Sequence, residues 1–167
     1  MPRSPVFRPR RTFPIASKLI AAAGLAAFVV LGGCSGSTGP GLSGGLTARM
    51  DQPGASLNRA DALGILNAYR GTQGAAGLAA DAGLDAAAQS LAADYARTGQ
   101  PPRPPAGAVG IRVSAGYANF AETFSGWRNS PEDARAIANP AARRAGLGVT
   151  YDASSTYGVY WVLVLDD

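Results

Sequence analysis

The residues able to do chemistry are few, and the missing ones narrow the field first. No histidine occurs in the 167 residues, which removes a Ser-His-Asp triad, a Cys-His dyad and any imidazole-ligated metal. Cys34 is the one cysteine, so neither an intramolecular disulfide nor a thiolate metal cluster can form. Lysine does not recur after Lys18, and a nucleophilic serine in the C-terminal part would lack a conventional base. What remains is carboxylate and guanidinium chemistry. Asp133 and Glu132 follow Ser130-Pro131, Glu122 lies nearby, and Arg112 precedes them all. Each has two readings. Asp133 is a helix-start acid facing the helix dipole or a site acid, and Glu122 is a solvated surface acid or a site acid. Ser130 reads as an N-cap. Arg112 either binds an anion or forms a structural salt bridge.

Charge is divided unevenly along the chain. Residues 1–33 carry Arg3, Arg8, Arg10, Arg11 and Lys18 and no acid, whereas residues 34–167 carry ten Arg against eleven acids. The formal charge of +4 therefore belongs to the leader, and no nucleic-acid partner is expected. Leu19–Leu31 is an uncharged run of thirteen residues. As a helix it spans roughly 20 Å, short of the ~30 Å hydrocarbon core. A basic stretch, a short apolar run and small residues form the layout of a signal peptide.

That run ends in Leu31-Gly32-Gly33-Cys34, which resembles the lipobox of bacterial lipoproteins. The resemblance implies cleavage before Cys34, acylation of its thiol, and attachment to membrane lipid, firm when several acyl chains are present. Ser35 in the next position implies the outer membrane in a Gram-negative cell, with the domain facing the periplasm. Arg10-Arg11-Thr12-Phe13 resembles a twin-arginine signal, which leaves both export routes open. Residues 35–56 are rich in Gly, Ser and Pro without sustained apolar periodicity and read as a flexible tether. The expected organisation is a signal peptide at 1–33, a lipidated tether at 34–56 and a folded domain at 57–167.

The elements that must position the candidate residues follow from periodicity. Ala62, Ile65, Leu66 and Tyr69 fall on one helical face over 57–71, ended by Gly71 and Gly74. Leu84, Ala87, Ala88, Leu91, Ala92 and Tyr95 repeat the pattern until Gly99 and the run Pro101–Pro105. Gly110–Ser114 reads as a strand. Tyr117, Phe120, Ala121, Phe124 and Trp127 mark another helical face. Ser130-Pro131-Glu132-Asp133 starts a short helix that ends at Asn139-Pro140. Gly148–Tyr151 and Tyr157–Leu165 read as an antiparallel hairpin, because the Asp152–Thr156 linker is too short for a crossover. In the last strand Tyr157, Val159, Trp161, Leu163 and Leu165 face one way and Tyr160, Val162 and Val164 the other. Both faces are apolar, so both should be covered. The expected fold is α+β, a three-layer α-β-α sandwich with a small, largely antiparallel sheet.

Several segments together resemble a known family. Leu66-Asn67-Ala68-Tyr69-Arg70, Gly77-Leu78 and Leu84 with Ala87-Ala88-Gln89 are similar to its opening. Trp127-Arg128-Asn129-Ser130-Pro131 is similar to its "W..SP" signature. Gly146-Leu147-Gly148-Val149 and Tyr160–Val164 are similar to its closing strands. The family is the CAP superfamily, also called SCP or PR-1-like, in its bacterial form. The resemblance implies an α-β-α sandwich and a groove carrying two histidines and two acids that sometimes hold a divalent metal. Here Asp133 stands where the bacterial form has a histidine, and Ile111-Arg112 stands where it has Glu-Asn. The histidine after the second helix is absent, so the tetrad is largely erased and no metal or other cofactor is expected. Tyr117, Trp127 and Tyr160 fall near the implied groove rim and join Asp133, Glu122, Arg112 and Ser130 as candidate ligand-binding residues.

Three function classes follow. The first is a non-catalytic envelope binding module for a lipid, wall component or protein. The second is a structural lipoprotein without a small-molecule site. The third, resting on fold analogy, is a hydrolase using only carboxylates.

Overall fold

The computed structural model describes residues 41–167, so the leader and Cys34 lie outside the described residues. Four of the helices begin on side-chain caps, one of which, Ser130, is expected from the sequence. Asn58 caps α2 (Arg59–Thr72), Asp81 caps α3 (Ala82–Thr98), Asn119 caps α4 (Phe120–Asn129) and Ser130 caps α5 (Pro131–Ile137). In each, the side-chain oxygen accepts an N–H of the first turn that would otherwise lack a partner. Gly99, at φ 68°, closes α3 in the left-handed conformation that a glycine adopts without strain.

The strands are β1 (Ala79–Ala80), β2 (Gly110–Ala115), β3 (Arg144–Tyr151) and β4 (Val159–Asp166). Their order is β1-β3-β4-β2, with β4 antiparallel to both neighbours and β1 parallel to β3. Val159–Leu165 is buried throughout because β4 is an inner strand covered on both faces. Val159, Trp161, Leu163 and Leu165 pack with Leu66, Phe120, Phe124, Trp127 and Ile137 from α2, α4 and α5. Val162 and Val164 pack with Ala88 and Ala92 of α3, and Tyr160 with Tyr95 and Ala96. This is the sandwich expected from the sequence.

Two glycines set the distance between α3 and the sheet. A Cβ on Gly146 would lie 2.0 Å from the Leu84 carbonyl carbon, and one on Gly148 would lie 2.3 Å from that of Ala88. Only residues without a side chain allow that approach. On the opposite face Arg70 is fully buried. Its guanidinium donates to the carbonyls of Ala76 at 2.7 Å, Ile137 at 2.5 Å, Asn139 at 3.1 Å and Ala142 at 3.0 Å. Burial, with Arg143 nearby, draws its pKa below the ordinary arginine value.

Several boundaries differ from expectation. The domain begins earlier than the Gly/Ser-rich composition of residues 35–56 suggests. Leu46, within α1 (Gly44–Thr47), and Met50 are buried in the main core, and the Met50 N–H donates to the Ala118 carbonyl at 2.7 Å. Two isolated apolar residues suffice here because tertiary contacts override the missing periodicity. β3 starts at Arg144 instead of Gly148, since Ala145 and Leu147 lie on the apolar face and the intervening glycines hide the alternation. Tyr157 precedes β4 and is 57% exposed. Tyr117 lies outside α4, whose cap is Asn119.

Candidate functional site

The implied groove residues separate into one charged cluster and several structural roles. Arg112 sits on β2 beside Leu163 of β4, its register partner. α5 packs against β2, and Ser130 starts that helix so that Asp133 falls in its first turn. There Arg112 Nη1 donates to Asp133 Oδ1 at 2.9 Å, while Glu132 Oε1 stands 3.7 Å from the same nitrogen. The Arg112 and Asp133 side chains are 18% and 27% exposed. The Asp133 N–H reaches the Ser130 hydroxyl at 3.4 Å. Arg112 Nε is buried without a hydrogen-bond partner. Arg112, Asp133 and Ser130 thus come together, as an ion pair on a helix start.

The other candidates are engaged elsewhere. Glu122 accepts from the Ala118 N–H at 3.1 Å and the Asn119 amide at 2.8 Å, closing the reciprocal cap of α4. It does not join Asp133. Trp127 is buried, and its indole N–H donates to the Val113 carbonyl at 3.1 Å. Tyr160 is buried edge-on to Tyr95 and accepts the Tyr157 N–H at 3.3 Å. Burial first, then the neighbouring Tyr157 and Tyr160, push the Tyr95 hydroxyl pKa up. Tyr117 is 39% exposed, its carbonyl takes the Trp161 indole N–H at 2.9 Å, and its ring lies over Gly126. The polar atoms of the aromatics are mostly spent on holding the core.

A divalent cation does not fit this donor set. The Asp133 carboxylate is already neutralised by a guanidinium, which would repel a second cation at the same oxygen. Among the described residues no group of three or more His, Cys, Asp or Glu is placed to hold a metal.

Concavities with room for a ligand lie elsewhere: one of about 240 Å³ borders Met50, Gln52, Gln89, Val149 and Tyr151, and a more apolar one lies between α2 and α4. A cleft of about 380 Å³ is lined by Ile65, Ala68, Tyr69, Thr72, Phe124 and Arg128. An adjoining hollow of about 210 Å³ shares Ile65, Phe124 and Arg128 and adds Leu42, Ala121 and Ser125. Tyr69 and Phe124 meet edge-to-face with ring centroids 5.8 Å apart. The walls are mostly apolar, with Arg128 as the single ionised side chain. Such a cleft suits an apolar chain with an anionic end. The sequence did carry a signal for it. Ile65 with Tyr69, and Ala121 with Phe124, widen each helix's apolar stripe beyond what one sheet face covers, and Arg128 follows one turn after Phe124. Read alone, each stripe is indistinguishable from core.

A model of the CAP family, described as the cysteine-rich secretory protein family, matches residues 63–165. No curated protein matches the chain. Among solved structures, MpPR-1i superposes with a TM-score of 0.54 at 18% identity, over 65% of this chain and 89% of that one. An extracellular protein containing an SCP domain from Bacillus anthracis gives 0.54 at 17% identity, over 65% of this chain and 40% of the Bacillus chain. An outer surface protein from Borrelia burgdorferi gives 0.52 at 14% identity, over 62% of this chain and 88% of that one. At these identities the likeness concerns the fold.

Proposed function

This chain belongs to the cysteine-rich secretory protein (CAP) family, and from that premise we propose that it is a membrane-anchored envelope lipoprotein whose domain binds a ligand without catalysis. The anchor is acylated Cys34, and the domain faces the periplasm, at the outer membrane if the cell is Gram-negative. The ligand is an amphiphile with one apolar chain and an anionic end, held between α2 and α4. The α2–α4 cleft is the observation that carries this reading, because its apolar walls meet a single cation, Arg128. The bacterial and surface-exposed settings of the solved relatives are consistent with an envelope location. Arg112 and Asp133, which the family resemblance sets at two of the tetrad positions, are engaged with each other as an ion pair.

The anchor is tested by radiolabelled palmitate and immunoblotting. The wild type should incorporate label and be processed, and Cys34→Ser should remain a full-length, unlabelled precursor. Efficient processing of that variant would contradict the assignment. The cleft is tested with 11-(dansylamino)undecanoic acid and the unacylated mature chain, residues 34–167 carrying Cys34→Ser. Saturable one-to-one fluorescence enhancement is expected, weakened about tenfold by Arg128→Glu through loss of a charge-assisted contact and added repulsion. Absence of saturable binding would remove the cleft from the account.

A further inference from the structure

β3 pairs with β4 along one side, and side chains cover most of its other edge. The Asp152 N–H donates to the Gly158 carbonyl at 2.8 Å. The alternation of an antiparallel ladder therefore turns the even-numbered residues of β3 toward β4 and the odd-numbered ones away from it. The outward groups find partners in order along the strand. The Ala145 carbonyl accepts from the Asp81 N–H at 3.1 Å. The Leu147 N–H donates to Asp85 at 2.8 Å, and its carbonyl accepts from Arg59 at 2.9 Å. The Val149 N–H reaches the Gln89 side-chain oxygen at 3.4 Å, and its carbonyl accepts from the Gln89 side-chain nitrogen at 2.8 Å. Four helical residues rise about 6 Å and two strand residues about 6.6 Å, so Asp85 and Gln89 keep step with Leu147 and Val149. The next pair in the series is Ala93 with Tyr151. An alanine side chain has no group to offer, and among the described residues neither the N–H nor the carbonyl of Tyr151 has a partner. Tyr151 also lines a cavity of about 240 Å³, shared with Gln89, Val149 and the segment from Gln52 to Ala55.

We propose that this cavity takes an extended, uncharged peptide segment, which pairs with Tyr151 and continues the sheet at the open end of β3. The site shares no lining residue with the α2–α4 cleft. Tyr151 presents a donor and an acceptor from one residue, on one side of the strand. An extended residue of a partner strand matches both, because its own N–H and C=O lie on the same side. The N–H and C=O of a single trans amide point opposite ways, so a ligand with one amide group, such as an N-acetylated sugar, satisfies only half of the pair. None of the residues lining the cavity carries a charge, and an ionised side chain entering it would lose water without gaining a counter-ion. Main-chain bonds supply the affinity, and the cavity receives one neutral side chain.

The probe is a blocked neutral pentapeptide, acetyl-Thr-Val-Thr-Val-Thr-amide, titrated into the unacylated mature chain and followed by amide NMR shifts. Saturable shifts are expected at Gln52–Ala55, Gln89 and Val149–Tyr151, with the Tyr151 amide moving downfield as it gains an acceptor. Ala93→Gln, at an exposed position of α3, supplies the side chain that the series lacks. It should slow solvent exchange of the Tyr151 amide without peptide and weaken peptide binding by about tenfold or more. Absence of saturable shifts at these residues, or binding that Ala93→Gln leaves unchanged, would overturn the proposal. Equal or tighter binding of N-acetylglucosamine at the same residues would overturn the peptide assignment in favour of a single-amide ligand.

Discussion

Arg112 of β2 and Asp133 of α5 meet at 2.9 Å, joining an edge strand to the first turn of a short helix. Removing either partner is not equivalent. Loss of the Asp133 charge strands a cation whose Nε already lacks a hydrogen-bond partner, whereas loss of Arg112 leaves a carboxylate near water and the helix N-terminus. In a double-mutant cycle by urea unfolding, Asp133→Asn should cost about 1–2 kcal/mol and Arg112→Met less, with a coupling energy of about 1 kcal/mol. A coupling near zero would mean that the pair exists without holding α5 to the sheet.

Arg70 is a larger determinant of stability. Its guanidinium binds carbonyls in the loop before β1, at the last residue of α5 and in the segment between α5 and β3. No single shorter donor spans them. Arg70→Met removes the charge but leaves buried carbonyls unsatisfied, and Arg70→Lys supplies one point donor in place of a planar fork. Both should destabilise by more than about 3 kcal/mol, with the lysine variant no better than half rescued. Chemical denaturation of both variants checks this, and a loss under about 1 kcal/mol would contradict the role.

The close approach of α3 to β3 predicts intolerance of a single methyl group. Gly148→Ala places a Cβ against the backbone of Ala88, which has no flexible end to move aside. A cost of about 3 kcal/mol or more is expected, above the usual range for overpacking because backbone must shift. Gly64→Ala, whose Cβ meets nothing within 4 Å, should be neutral or stabilising by up to about 1 kcal/mol in the helix interior. Thermal melts of the two variants provide a matched comparison.

The acid limb of stability should involve Asp81. The Leu84 N–H, reinforced by Arg144, holds its carboxyl below the usual aspartate range. The unfolded chain therefore takes up that proton more readily than the folded one. Its stabilisation is complete above the ordinary aspartate pKa of about 4 and is lost as pH falls through the lower folded value. Calorimetry should find Asp81→Asn less stable than wild type at pH 7, with the difference shrinking toward pH 2.5. A difference independent of pH would exclude a role for the charge.

The sequence was most informative where one residue type answers one local need. Ser130 announces a helix start, and the two apolar faces of Val159–Leu165 announce an inner strand. It was least informative where structure depends on a distant partner. Leu46 and Met50 lie among glycines and serines, and only the core they enter explains their burial. β1 has two residues, and its pairing with β3 leaves no periodic trace. The candidate site divides on the same line. A salt bridge is one of two readings of Arg112 and a helix-start acid one of two readings of Asp133; that the two residues pair is visible only in the fold. The α2–α4 cleft arises from two helices that are remote in sequence, so neither stripe alone distinguishes a ligand wall from core.

The central claim is that ligand is taken between α2 and α4 and not at the place of the family's polar tetrad. Amide and methyl NMR shifts of the unacylated mature chain, titrated with a saturated fatty acid, test it most directly. Saturable shifts confined to the neighbourhood of Ile65, Ala68, Tyr69, Ala121 and Arg128 are predicted. Shifts centred on Arg112, Ser130 and Asp133 would contradict the account.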